Sequence, residues 1–270
     1  MSDVRQRAWY AVVTSAVFMV AIAVPEVWKA LEISQYLPRP LGSLLRGTAM
    51  VAVVILGVRG LHRLGMRGAA AELGWLAPVR PAVVFALLAT SPMLICFAIA
   101  RPIAADLAPA SLAMTSLVAP FVEEVLFRAF LFRQLYRRAR LGFWWSAAIP
   151  SLLFALGHVY QAQGLGELVG ILAITGIGGG LLCWVFVCWA DSFWAVFGLH
   201  ALMNLWWDVF AVDTSALGGW LANGARLATV AIALVLAERH RRAGRRQQPV
   251  AVPDATLEQP AAMRRWTAIP

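Results

Sequence analysis

The chain has 270 residues, 61% of them hydrophobic and 14% charged, with twelve Trp and thirteen Phe. Soluble domains run at about 45–50% apolar and about 25% charged, so a water-soluble globular fold is excluded and an integral membrane protein is expected. The net charge of +9 does not point to nucleic acid, because the arginines sit in connectors and near the C-terminus, as in segments held on the cytoplasmic side.

A membrane-crossing helix needs about 20 mainly apolar residues. Eight stretches meet or approach that length, roughly 8–25, 43–62, 81–100, 115–136, 143–161, 167–190, 193–211 and 217–237. The expected fold is an all-α, polytopic membrane helical bundle of about eight transmembrane helices, forming one membrane domain over residues 1–238. The first apolar run is followed by "PEVWKALE" rather than a small-x-small cleavage site, so it reads as a retained span, not a signal peptide. Residues 25–40 mix charged and apolar side chains and are expected along the interface. Residues 62–81, rich in Gly and Pro, are expected as a connector. His62 and His240 fall in basic connectors and read as surface residues.

Farther along, Gly166/Gly170 and Gly176/Gly180 have the GxxxG spacing of close helix contact, here expected within the bundle. Trp144, Trp145, Trp206 and Trp207 fall near span ends, where an aromatic belt forms. Asp191-Ser192 is expected to cap the helix that follows. Cys96, Cys183 and Cys188 all fall in expected spans and read as small apolar core residues. Residues 239–270 lack an apolar period and are expected to be a disordered basic tail. The Lys/Arg bias puts both termini on the cytoplasmic side, with Arg59, Arg63, Arg67, Arg80, Arg133, Arg137, Arg138 and Arg140 on that side too. The arginines after the fourth span therefore read as topology signals rather than a binding patch. A multi-pass protein of a bacterial-type inner membrane is the expected location.

Ionisable residues inside spans are costly and mark interior or wet positions. Glu124 and Arg128 are four apart, acid first, which favours an ion pair on one helix face. Glu123 is rotated about 100° from Glu124 and is not the natural partner of Arg128. His158 and His200 lie in apolar segments, with Phe154 one turn before the first and Asn204 one turn after the second. A carboxylate with an imidazole suits proton abstraction from water. An imidazole with an amide suits holding an oxyanion. No GxSxG, GxGD or HExxH occurs, although Glu123, His158 and His200 together would offer zinc ligands.

"EEVLFR" (123–128), "FALGH" (154–158) and "HALMN" (200–204) resemble the EExxxR, FxxxH and HxxxN motifs of the CPBP family of intramembrane glutamic endopeptidases. That family includes the CAAX prenyl proteases and Abi-type membrane proteins. The resemblance covers a motif-bearing core of about residues 115–210. It departs from the family at Ala129, where members often have Gly, but a small residue is kept. It implies a peptide hydrolase in which Glu123 with His158 activates water and His200 with Asn204 forms an oxyanion hole. Glu124, Arg128 and Phe154 would be structural or supporting. It also implies no metal and no cofactor, with a membrane-associated protein or peptide cut near its C-terminus and the lipid bilayer as partners. A transporter or scaffold without enzymatic activity is the alternative, and a zinc-dependent membrane protease a further one. Substrate identity and oligomeric state stay open.

Overall fold

The computed structural model describes residues 3–247. Among them the chain is all-α. Nine helices follow in order: α1 Asp3–Ala30, α2 Arg39–His62, α3 Met66–Glu72, α4 Val79–Ala100, α5 Pro109–Arg137, α6 Phe143–Leu156, α7 Leu165–Cys188, α8 Phe193–Val209 and α9 Trp220–Gln247.

Six of them, α1, α2, α4, α5, α7 and α9, are long and apolar enough to cross a membrane. The protein is a multi-pass integral membrane protein. The other two expected spans are shorter than their apolar stretches. Helix α6 has 14 residues and α8 has 17, about 21 and 26 Å at 1.5 Å per residue, against a hydrocarbon core of about 30 Å. The apolar run of 143–161 outlasts its helix because the chain leaves α6 at Gly157 and turns through a 3-10 segment at Val159–Gln161.

Other boundaries also move. Helix α1 runs through Pro25 to Ala30, so only the later part of the expected interfacial segment, with its 3-10 turn at Ile33–Tyr36, lies outside a long helix. The connector 62–81 contains α3. Helix α9 continues to Gln247, past the expected start of a disordered tail at 239. The rest of that expected tail, 248–270, lies outside the described residues.

Helix α5 holds the bundle together. It begins with Pro109, whose fixed φ and missing N–H suit a first turn, and it packs against α1, α2, α6 and α8. From Glu124 to Phe132 every residue but Phe127 is buried. Around it α4 pairs with α8 and α9, α6 with α7, and α1 with α2. The α6–α7 seam uses the second pair flagged by spacing, since a Cβ on Gly176 would sit 3.7 Å from Ala155 and one on Gly180 3.9 Å from Ser151. Its tightest approach is at the unflagged Gly179, where a Cβ would come within 3.0 Å of Ser151. Outward-facing Leu88, Ile99, Val169, Ile177 and Leu227 are exposed, a surface suited to lipid rather than water.

Two stretches of α5 are wound as π-helix, Met114–Val118 and Val125–Phe132, either side of a regular turn at Ala119–Glu124. Such segments are rare and concentrate at functional sites. The first has a local cause. The N–H of Ala119 reaches back to the Met114 carbonyl, and Pro120 has no N–H to donate. The Thr115 carbonyl is thereby left without the partner that either residue would supply. Asn204 of α8 fills the vacancy, its Nδ2 donating to that carbonyl at 3.3 Å.

Candidate active site

The carboxylates of Glu123 and Glu124 leave α5 in different directions. Glu124 is fully buried, and its Oε1 accepts from Arg128 Nη1 at 2.9 Å. Arg128 is 1% exposed, and its guanidinium lies over the Phe154 ring, 4.5 Å from the centroid. A charged pair this deep holds only with close geometry, because both ions have lost their water.

The same Glu124 Oε1 accepts a second bond from His200 Nδ1 at 2.7 Å. An ionised carboxylate only accepts, so the proton of this contact belongs to Nδ1 of His200. Its other nitrogen, Nε2, faces Glu123 Oε2 at 3.7 Å. Glu123 is the open member of the group, with 30% of its side chain exposed. Glu123 lies within electrostatic range of both His200 and His158.

His158 stands just past the end of α6, in the turn rather than inside an apolar helix as its sequence setting suggests. Its Nδ1 donates to the Phe154 carbonyl at 2.8 Å. In the neutral ring this leaves Nε2 as an acceptor. Phe154 links the parts: its ring lies 4.6 Å from that of His158 and 6.0 Å from that of His200, with Arg128 against it. The structure therefore brings together Glu123, Glu124, Arg128, Phe154, His158 and His200, from α5, the end of α6 and α8. Asn204 lies one turn beyond His200 on α8, bound to the Thr115 carbonyl. The second N–H of its amide is available for another acceptor.

Three features were not read from the sequence. The Glu124–His200 bond crosses two helices, so no spacing announces it. Asp208, four residues after Asn204, accepts from the hydroxyls of Thr115 at 2.6 Å and Ser116 at 2.9 Å, so α8 grips the π-helical turn twice. Repeated polar residues at 204 and 208 on one helix face were the available signal. The third concerns His62, expected at the surface. It is almost buried, its Nε2 3.0 Å from Gln134 Oε1 and 3.7 Å from Glu72. His240, by contrast, is exposed as expected, with its ring stacked on Trp189 at 3.8 Å. Ser192 makes no capping bond, and Asp191 instead binds Arg133 and Arg137. Among the described residues no three His, Cys, Asp or Glu side chains converge in the manner of a metal site.

A family model described as "Rce1-like: Type II CAAX prenyl endopeptidase Rce1-like" matches residues 105–206. That segment contains every residue of the cluster, from Thr115 and Glu123 to Asn204. Comparison with curated proteins and with solved structures returned no match. Residues 105–206 of this chain therefore match an Rce1-like type II CAAX prenyl endopeptidase (CPBP) family domain, and that family is one of peptide hydrolases.

Proposed function

We propose that this protein hydrolyses a peptide bond near the C-terminus of a membrane-associated protein, using water activated by Glu123. The observation that carries the reading is the asymmetry of the two adjacent glutamates. Glu124 is fully buried and its Oε1 accepts from both Arg128 and His200, whereas Glu123 is partly open and has an imidazole nitrogen as its near neighbour. A carboxylate so placed takes a proton from water as the water oxygen attacks the scissile carbonyl carbon. His158, with Nδ1 committed to the Phe154 carbonyl, offers Nε2 as a second acceptor for the same water. The oxyanion that forms takes hydrogen bonds from the free amide N–H of Asn204 and from His200. With both nitrogens protonated, His200 donates to Glu124 from Nδ1 and to the oxyanion from Nε2. Collapse of the intermediate breaks the C–N bond, and the proton held by Glu123 passes to the departing amine.

An apolar cavity of about 380 Å³ between α2, α5 and α8, lined by Leu44, Val51, Leu117, Phe121, Val122 and Phe197, adjoins this group. Val122 precedes Glu123 in the chain, and Phe197 lies one turn before His200. Such a wall suits an apolar stretch of a substrate still held in the bilayer. With the N-terminus cytoplasmic, His158 belongs to the outer half of the membrane, which suits exported proteins. Cysteine labelling at Asp213 from the cytoplasm alone would reverse that orientation.

The function is tested with the purified protein in lipid and a membrane-anchored peptide whose cleavage is followed by mass. Glu123→Gln keeps the size of the side chain and removes the base, so turnover falls about 10³-fold. Undiminished cleavage by that variant would falsify the mechanism. A transporter or scaffold would show no cleavage in either form.

A further inference from the structure

A second cavity, of about 420 Å³, opens where the first turns of α1 meet the last turn of α5 and the connector after α7. Arg7, Arg133, Arg137, Arg138 and Arg140 line it, with the carboxylates of Asp3 and Asp191. A topology signal needs only that arginines stay on one side of the membrane. It does not require them to converge on one hollow from separate parts of the chain, nor to be fixed there.

Here they are fixed. Asp191 accepts from Arg137 Nε at 3.0 Å and Nη2 at 2.8 Å, and from Arg133 at 3.2 Å. Glu72 of α3 holds Arg133, and holds Arg138 at 3.1 Å. Asp3 pairs with Arg7 and lies 3.9 Å from Arg140. The acids orient the guanidiniums without exhausting them. Each guanidinium carries about five N–H donors and each carboxylate about four acceptor positions, so Arg7, Arg133, Arg138 and Arg140 alone exceed what these three acids accept. The Nε of Arg7 is buried and without a hydrogen-bond partner among the described residues. The side chains of Arg138 and Arg140 are 41% and 49% exposed.

We propose that this arginine-lined cavity binds a phosphate group. A tetrahedral phosphate presents several acceptor oxygens, and guanidinium forks match them in pairs. The cavity lies at the ends of two spanning helices, the depth at which lipid headgroups sit, and anionic lipids recruit basic residues there. The same chemistry would be met by a soluble phosphate.

The full-length protein in nanodiscs separates these sources through its unfolding temperature. In discs of digalactosyldiacylglycerol with phosphatidylglycerol the transition should rise by about 5 °C over the neutral, phosphate-free digalactosyldiacylglycerol alone. Oleate, charged but without phosphate, should give no such rise. A rise in neutral discs on adding inorganic phosphate would assign the site to a soluble phosphate, and supports the same site. The double variant Arg7→Gln/Arg140→Asn should lose at least half of whichever rise occurs. Arg140→Asn alone is the safer second variant, since Arg140 has φ +57° and Asn tolerates that left-handed conformation; it should lose a smaller part. An equal rise with oleate, an undiminished rise in both variants, or no rise with either phosphate source overturns the proposal.

Discussion

Helix α5 carries charge at two places that are wired in opposite senses. At its middle, Glu123 and Glu124 face one guanidinium, Arg128, with His200 bridging the two acids. At its C-terminal end Arg133, Arg137 and Arg138, joined by Arg140, are met from other elements by Glu72, Asp191 and Asp3. The first group has a surplus of acid, because Arg128 and His200 both donate to one oxygen of Glu124 and leave Glu123 over. The second has a surplus of base, each acid shared among two or more arginines. The difference teaches that charge on a membrane helix is interpreted by what crosses to it. A surplus carboxylate beside imidazoles is suited to moving protons, and surplus guanidiniums around a hollow are suited to holding an anion.

The comparison is tested most severely at Glu124, which belongs to the acidic group and yet is buried like a structural residue. Removing its charge leaves Arg128 buried without a counter-ion, which costs about 3–5 kcal/mol. Glu124→Gln should therefore lower the unfolding midpoint strongly in a denaturant titration. It should also lower turnover per folded molecule by about 10²-fold, because an amide is able to turn its NH2 toward His200 Nδ1 and displace the proton that Glu124 holds there. A stability loss with unchanged turnover of the folded fraction would reduce Glu124 to scaffold. Rescue of turnover by Glu124→Asp, if its shorter chain still reaches Nδ1, would assign it to positioning His200.

Gly74 probes the other group without touching a charge. Its φ is +75°, and a Cβ there would lie 2.1 Å from the backbone oxygen of Asp191. Gly74→Ala therefore strains the backbone and pushes Asp191 away from Arg137, at a cost of about 2–3 kcal/mol. Cleavage by the protein that remains folded should be unaltered, since α3 and the connector after α7 hold none of the cluster at Glu123. A matching loss of turnover would show that the two regions are coupled along α5.

What the sequence disclosed follows the range of each interaction. The Glu124–Arg128 contact is legible because four residues along a helix bring two side chains to one face, and it forms even with a π-helical turn beginning at Val125. The all-α, membrane-spanning character is legible in hydropathy. Hydropathy does not register where a helix stops inside an apolar run, so the 14-residue α6 reads as a full span. Contacts made across helices leave no local spacing at all. The Glu124–His200 bond, the grip of Asn204 on Thr115 and the burial of His62 against Gln134 and Glu72 all depend on how helices dock. Basic runs read as topology for the same reason: the acids that fix these arginines come from residues 3, 72 and 191.

The smallest expected effect concerns Glu72, on the short helix α3 outside the spanning helices. Burial pushes its carboxyl up, but Arg133 and Arg138, with a hydrogen bond from Gln134, outweigh that and hold it below the ordinary carboxylate value of 4.5. A carboxyl whose folded value is depressed stabilises the fold above its unfolded value. That contribution is lost as pH falls through the lower folded value. Glu72→Gln should cost about 1–3 kcal/mol at neutral pH, the worth of hydrogen bonds to a charged acceptor. Its unfolding midpoint should also vary less with pH below about 4.5 than that of the parent. Were the parent and the variant to lose stability in parallel through that acid window, the arginines would owe their placement to Asp191 and Asp3, and α3 would be a passive strut. A convergence of the two curves on acidification instead identifies Glu72 as the acid that keeps Arg133 and Arg138 turned toward the cavity.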